Sequence, residues 1–157
     1  MSRSPSRPNP KTDGLDGCEH CSLAAERGHK DVVNILLARE EVNLENLDND
    51  GDTPLTCAAY GGCEGVVKIL LEQEGVDSNK QNRVGQTPIS IAAQHGHVGV
   101  VKILLEQEEV SPNKPDNGGH TALMYAAWHG HLRVVELLRL HEPVTHSTLP
   151  GLTDTTR

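Results

Sequence analysis

The stretch that decides the fold is Val84–Lys114, which reads VGQTPISIAAQHGHVGVVKILLEQEEVSPNK. A close copy, DGDTPLTCAAYGGCEGVVKILLEQEGVDSNK, starts at Asp50, and a third copy, GGHTALMYAAWHGHLRVVELLRLHEPVTHS, starts at Gly118. The first Thr of each copy is separated from the first Thr of the next by 34 residues. A fixed period of this length is typical of a linear stack of small units, each of which packs only on its neighbours.

An eroded fourth copy precedes these three. Its Ala24-Ala25, Val32-Val33 and Leu36-Leu37 pairs stand 34 residues before the equivalent pairs that follow Asp50. Glu19-His20-Cys21 takes the place of Thr-Pro-Leu. We therefore predict an array over residues 14–146, divided into four repeats at approximately 14–47, 48–81, 82–115 and 116–146. We expect residues 1–13 to form a disordered Ser/Pro/Arg-rich tail and residues 147–157 a C-terminal tail.

Each copy predicts two short helices. Thr53 and Thr87 are suited to be N-caps, and the Pro that follows each lies at the first helical position, where a missing N–H costs nothing. Gly62 is placed to end the first helix. The second helix carries an apolar stripe at helical spacing, and the Gly85 and Gly119 segments between copies predict projecting hairpin turns.

These residues resemble the ankyrin consensus, in which a Gly-containing turn is followed by Thr-Pro-Leu-His, Ala-Ala, Gly-His, Val-Val and Leu-Leu. The resemblance implies an all-α ankyrin-repeat solenoid of stacked helix-turn-helix units with projecting hairpin loops. The sequence departs from the consensus in its period of 34 residues and in Ala122, which replaces the Pro. Thr56, Ser90 and Met124 replace the consensus His.

Composition narrows the function. The chain has no Phe, which suits thin stacked layers better than a single compact core. Its formal net charge of -8 argues against nucleic acid or an anionic membrane as partner. We find no apolar run long enough to span a bilayer and no secretory signal at the start. Four Cys are expected to be thiols rather than a disulfide framework, which favours the cytoplasm, with the nucleus as the alternative.

No catalytic motif is present, and we predict no enzyme activity, no cofactor and no metal site. The alternative is a metal or thiol enzyme that uses Cys18, His20 and Cys21, but Cys21 matches a core Leu position. His29, His97 and His131 share one repeat position, where the family resemblance implies hydrogen bonds between copies, and Cys63 fills that position in the second copy.

His95 and His129 lie at the predicted C-termini of first helices, where a cationic imidazole is favoured. Acidic residues cluster after the second helices. They form either an acidic edge that steers a basic partner or a set of charges that only keeps the protein soluble. This acidic set is Glu40, Glu41, Glu72, Glu74, Glu106, Glu108 and Glu109.

The resemblance implies a protein-binding module whose concave face carries the variable positions. In the first repeat these are Leu15, Asp16, Cys18, Glu26 and Arg27; in the other three they are Asn49, Asp50, Asp52, Tyr60, Gly61, Arg83, Val84, Gln86, Gln94, His95, Asn117, Gly118, His120, Trp128 and His129. Tyr60, Arg83, Val84, His95 and Trp128 are the expected anchors, because Tyr, Trp and Arg dominate binding hot spots. The alternatives are that Trp128 packs on the C-terminal tail and that the chain is a structural spacer.

The last copy is unusually apolar for the end of an array, through Leu132, Leu137 and Leu140. Three explanations stay open: a fold-back through Leu149 and Leu152, a longer array, or end-to-end association. We expect a monomer, with end-to-end association as the alternative.

Overall fold

The computed structural model describes residues 19–39 and 42–142, which form α-helices and turns with no strand in these two ranges. The helices are α1 (19–26), α2 (Lys30–Leu37), α3 (Pro54–Gly61), α4 (Glu64–Leu71), α5 (Pro88–Gln94), α6 (Val98–Leu105), α7 (Ala122–Trp128) and α8 (Leu132–Leu140). Consecutive helices pair, and each pair is one repeat. The all-α prediction is confirmed.

The first helices of the repeats begin where the Thr residues predict. Thr53, Thr87 and Thr121 have extended backbones, and each side-chain oxygen accepts a hydrogen bond from the backbone N–H three residues later. Thr121 caps α7 although Ala122 has replaced the Pro, so the cap rather than the ring determines where the helix begins. Gly62 ends α3 in the left-handed region, with φ of 72°.

The helices pack in two rows. α3 contacts α5, and α5 contacts α7, while α2, α4, α6 and α8 contact one another in sequence. Paired Ala residues in the first helices allow close approach, and paired Val and Leu residues of the second helices fill the space between rows. In the second repeat the fully enclosed members are Leu55, Ala58, Ala59, Val66, Val67 and Leu70. The core therefore extends along the stack as a continuous line of aliphatic side chains.

Hydrogen bonds also join neighbouring repeats at the position shared by the predicted bridging His residues. His97 Nε2 donates to the carbonyl oxygen of Tyr60 over 2.9 Å, and His131 Nε2 donates to that of Gln94 over 3.0 Å. Cys63 Sγ lies 3.2 Å from the carbonyl oxygen of Glu26. The thiol therefore replaces the imidazole as the donor in the second repeat.

Several sequence predictions lie outside the described residues: both tails, Glu40 and Glu41, and the proposed fold-back through Leu149 and Leu152. The exact repeat boundaries stay predictions.

Candidate protein-binding surface

Three loops of identical construction precede α3, α5 and α7. Each begins with an Asp or Asn whose Oδ1 accepts two backbone N–H bonds, from the residues two and four positions later: Asp48, Asn82 and Asp116. Each loop closes with a further bond from the N–H of that residue to the carbonyl four positions on. The role of these residues was not predicted, although their 34-residue spacing is visible in the sequence.

Hydrogen bonds also connect each of these loops to the next. Asn82 Nδ2 donates to Asp52 Oδ1 over 3.1 Å, which joins the second loop to the first. Asn117 donates from its backbone N–H to the carbonyl of Val84 and from its side chain to that of Arg83, both over 3.0 Å. The three loop tips therefore form one continuous, pre-arranged edge.

In the third and fourth repeats the residue after the turn Gly contacts the residue eight positions later, at the end of the first helix. Gln86 Nε2 donates to Gln94 Oε1 over 2.8 Å, and the rings of His120 and Trp128 have centroids 5.1 Å apart. Gln86 is one of the predicted concave-face positions, and this hydrogen bond holds its side chain against the end of α5. Its exposure is only 9%, because it is packed beneath the loop and supports Gln94.

Two aromatic side chains lie at the ends of first helices with much of their surface in solvent. Tyr60 is 50% exposed and Trp128 is 60% exposed. Tyr60 packs edge-to-face on His95, with ring centroids 4.7 Å apart, whereas Trp128 contacts Tyr125 and His120. The predicted anchors therefore fall into two ring clusters, and Trp128 belongs with His120.

The His95 imidazole differs from the expectation of a favoured cation at a helix C-terminus. It caps α5, but burial lowers its pKa, and neighbouring His97, His129 and His131 lower it further. Desolvation and mutual repulsion among these imidazoles outweigh the attraction of the helix dipole, so His95 favours the neutral form.

Asp116 is the fixed charge beneath the Trp128 cluster. Burial by itself raises its pKa, but hydrogen bonds from the Tyr125 hydroxyl and from the backbone N–H groups of His120 and Gly118 lower it to about 2. Its carboxylate also lies 3.3 Å from His120 Nδ1. Loop and helix are joined here by an ionised group that holds the aromatic cluster in place.

An acidic pocket of about 290 Å³ lies beside Tyr60, lined also by Glu26, Asp48, Asp50, Asp52 and Cys57. Burial raises the pKa of Asp52, and the charges of Asp48 and Asp50 raise it further, while the side chain of Asn82 lowers it. The pocket therefore concentrates negative charge next to an exposed ring.

Arg83 and Val84 form the tip of the middle loop. The Arg83 side chain lies across Gly51 of the preceding loop, where an added Cβ would stand 2.5 Å from Arg83 Cγ. Val84 is 55% exposed. Other predicted positions are exposed, namely Arg27, Asn49, Asp50, Gly61, Asn117, Gly118 and His129, and three are partly buried, namely Glu26, Asp52 and Gln94. Leu15, Asp16 and Cys18 lie outside the described residues.

The cysteine and histidine cluster near α1 offers little for metal or thiol chemistry in its described part. Cys21 is fully buried and His20 is exposed. Across residues 19–39 and 42–142 no group of three or more His, Cys, Asp or Glu side chains is arranged to hold a metal ion. Burial raises the pKa of both Cys57 and Cys63, which is the opposite of what a nucleophilic thiol needs.

The described residues of the predicted acidic set lie where the second helices end. Glu72 and Glu106 follow α4 and α6, and both are exposed, as are Glu74, Glu108 and Glu109.

A solenoid of four helix pairs with a row of tied loops is a scaffold that presents side chains in fixed positions. The sequence matches the family model described as ankyrin repeats (3 copies), over residues 4–82 and again over residues 67–147. The chain therefore belongs to the ankyrin-repeat family, whose members are in general protein–protein interaction modules and typically not enzymes. No curated protein matches the chain. Within the described residues, none of the helices has the length and apolarity needed to cross a membrane.

Proposed function

We propose that this chain binds a partner protein on the concave face formed by the three loop tips and the exposed ends of α3, α5 and α7, without catalysis and without a cofactor. One observation carries the proposal: Tyr60 and Trp128 are at least half exposed although the core holds no aromatic ring. Large rings left in solvent at fixed positions are what binding hot spots require.

The rigidity of the surface supports the same conclusion. The loop tips are held by side-chain to backbone bonds within each loop and by the Asn82 and Asn117 bonds between loops. Tyr60 and Trp128 are each oriented by a His ring. A surface that is already ordered loses little conformational entropy when a partner binds, so more of the contact energy appears as affinity.

The charges of the surface indicate the chemistry of the partner. The pocket next to Tyr60 is lined by Asp48, Asp50, Asp52 and Glu26 and fits a Lys or Arg side chain. The cation would contact these carboxylates and the face of the Tyr60 ring. The Trp128 ring, which is 60% exposed at the end of α7, fits an apolar side chain. We therefore propose a partner segment with a basic residue toward the second repeat and apolar residues toward the fourth.

Affinity capture with matched variants tests the proposal. The Trp128→Ala/Arg83→Ala double variant is expected to lose the partner by more than about thirtyfold in affinity, the equivalent of one hot-spot residue. Leu132→Ala is the matched control, because Leu132 is 73% exposed but lies on a second helix, α8. It should retain the partner.

Asp50→Lys tests the charge of the pocket. Association with the captured partner should slow, and its dependence on salt should weaken, because steering depends on the sign of the local charge. Equal retention of the partner by wild type and the double variant would overturn the concave-face proposal and favour a structural spacer.

We also propose the cytoplasm, or the nucleus, as the location. Cys57 and Cys63 carry thiols in no disulfide, which is the usual state in a reducing compartment. Imaging of the tagged chain in intact cells and detection of the tag in cell fractions test this location. Recovery of the chain from a secreted fraction would contradict it.

A further inference from the structure

The start of the described stack exposes apolar positions that interior repeats bury. In the first repeat three of these are 49%, 44% and 66% exposed, in the order Leu23, Val32 and Ile35. The residues at the same positions of the third repeat are at most 8% exposed, and they are Ile91, Val100 and Ile103. The interior residues are covered by the preceding helix pair, since α5 packs on α3 and α6 packs on α4.

Two of these exposed side chains, Leu23 and Val32, line a groove rather than a flat patch. The groove has a volume of about 380 Å³, and Leu23, Val32 and Leu36 lie in it with Ala24. Arg27 and His29 also line it. It is the surface on which a preceding repeat would pack, since α3 covers α5 and α4 covers α6 at the equivalent positions of the third repeat.

The other end of the stack exposes the complementary surface. Met124 is 42% exposed and Ala127 is exposed, whereas their equivalents Ser90 and Ala93 are 1% and 0% exposed. In the third repeat that surface is covered by the next first helix, since α5 packs on α7. The exposed end of the fourth repeat is therefore the kind of surface that would cover the groove of the first repeat.

A specific slot for an imidazole ring accompanies this complementarity. The ring of His97 lies against Gly62 and that of His131 against Gly96, so that an added Cβ would stand 2.7 Å and 2.6 Å from the respective Nδ1 atoms. At the equivalent Gly130, no atom of the described chain lies within 4 Å of that position. His29 is the equivalent ring at the start of the stack, and it is exposed.

We propose that the chain associates head to tail with a second copy of itself, through the groove of the first repeat and the exposed end of the fourth. His29 of one copy fills the slot over Gly130 of the other. Its Nε2–H donates to the carbonyl of Trp128, which stands where Tyr60 and Gln94 stand for His97 and His131. The contact is heterologous, so it leaves a free face at each end and copies add in line.

A second copy fits better than the chain's own first residues. Residues 1–18 supply only Met1, Leu15 and Cys18 as apolar side chains other than Pro, too few to replace the helix pair that covers Ile91, Val100 and Ile103 in the third repeat. A second copy instead supplies the exposed end of its fourth repeat, which is the same kind of surface that covers the equivalent of this groove inside the array. The proposal does not depend on the concave-face function, since the loop tips take no part in the end-to-end contact.

Sedimentation velocity of the full chain over a wide range of concentration is the first test. The average mass should rise continuously with concentration, through dimers to longer assemblies. A single monomeric species at every concentration would overturn the proposal, including the case in which the chain's own residues 1–18 or 143–157 cover the two faces.

Two blocking variants make the test specific. Ile35→Asp blocks only the first-repeat face and Ala127→Arg blocks only the fourth-repeat face, and both positions are exposed, so the fold should be retained. Each variant alone should be monomeric, while an equimolar mixture should give a one-to-one heterodimer that does not extend. Association of either variant with itself, or no complex in the mixture, would contradict head-to-tail pairing.

Two further variants distinguish this contact from nonspecific hydrophobic association. Ala38→Asp is the matched control in the same repeat, because Glu72 and Glu106 occupy its position in interior repeats and are exposed there. It should associate like wild type. His29→Ala should weaken association about fivefold, the effect of one lost hydrogen bond, and an unchanged affinity would exclude His29 from the slot.

Discussion

The second helices of the first and third repeats carry the same Val-Val and Ile-Leu-Leu residues in the same positions, yet these side chains lie in different surroundings. Val100 and Ile103 are 0% and 8% exposed, whereas Val32 and Ile35 are 44% and 66% exposed. The residue types are identical and the helices are of equal length. The difference comes from the neighbouring repeat alone, so burial in this molecule is a property of position in the stack.

Ile103→Ala and Ile35→Ala test this difference most strongly. We expect Ile103→Ala to lower the free energy of unfolding by about 2–5 kcal/mol, since a buried side chain is lost and a cavity is left. Ile35→Ala should cost less than about 1 kcal/mol at low protein concentration, because most of that side chain is already in solvent. Urea unfolding followed by circular dichroism measures both. Equal losses would show that the end repeat is covered in solution.

Gly96→Ala and Gly130→Ala compare an interior glycine with its counterpart in the last repeat. Their φ angles are 73° and 74°, so both variants bear the same backbone penalty of about 1–2 kcal/mol. Gly96→Ala should cost about 1 kcal/mol more, because its Cβ displaces the His131 ring and breaks the bond to Gln94. Thermal unfolding of the two variants gives the difference, and an equal cost would show that the ring is free to move aside.

The His95 side chain gives the smallest effect, through pH. Its pKa is lowered in the folded protein, so the unfolded chain binds the proton at higher pH. The stability contributed by neutral His95 is complete above the ordinary His pKa of about 6.5 and is lost as pH falls below it. His95→Gln should therefore flatten the fall in unfolding midpoint between neutral and mildly acidic pH. A steeper fall would mean that the imidazole is stabilised as a cation.

The sequence predicted what depends on local chemistry and on the repeat period. Thr caps, the terminating Gly62, the Ala and Val core and the bridging role of His97 and His131 all follow from spacing and family pattern. These features recur at one register, and neighbouring repeats constrain each other in the same way along the stack.

Features that depend on contacts eight residues apart within a repeat were not predicted. Gln86 looks like a free polar side chain in the sequence but is packed under its loop by its bond to Gln94. Likewise the sequence places Trp128 in one set of anchors with Tyr60 and His95, whereas the ring nearest to Trp128 is that of His120. The neutral character of His95 depends on burial and on rings from other segments, which the helix-dipole rule does not take into account.

Duplication of one interior repeat tests the central claim most directly, that each repeat is stabilised by its neighbours and not by a single closed core. Residues 82–115 would be inserted a second time directly after position 115, which adds one helix pair and one interface in register. The account predicts a higher urea midpoint and a larger m-value than wild type, because both stability and buried surface grow with each added repeat. A lower midpoint with an unchanged m-value would contradict it.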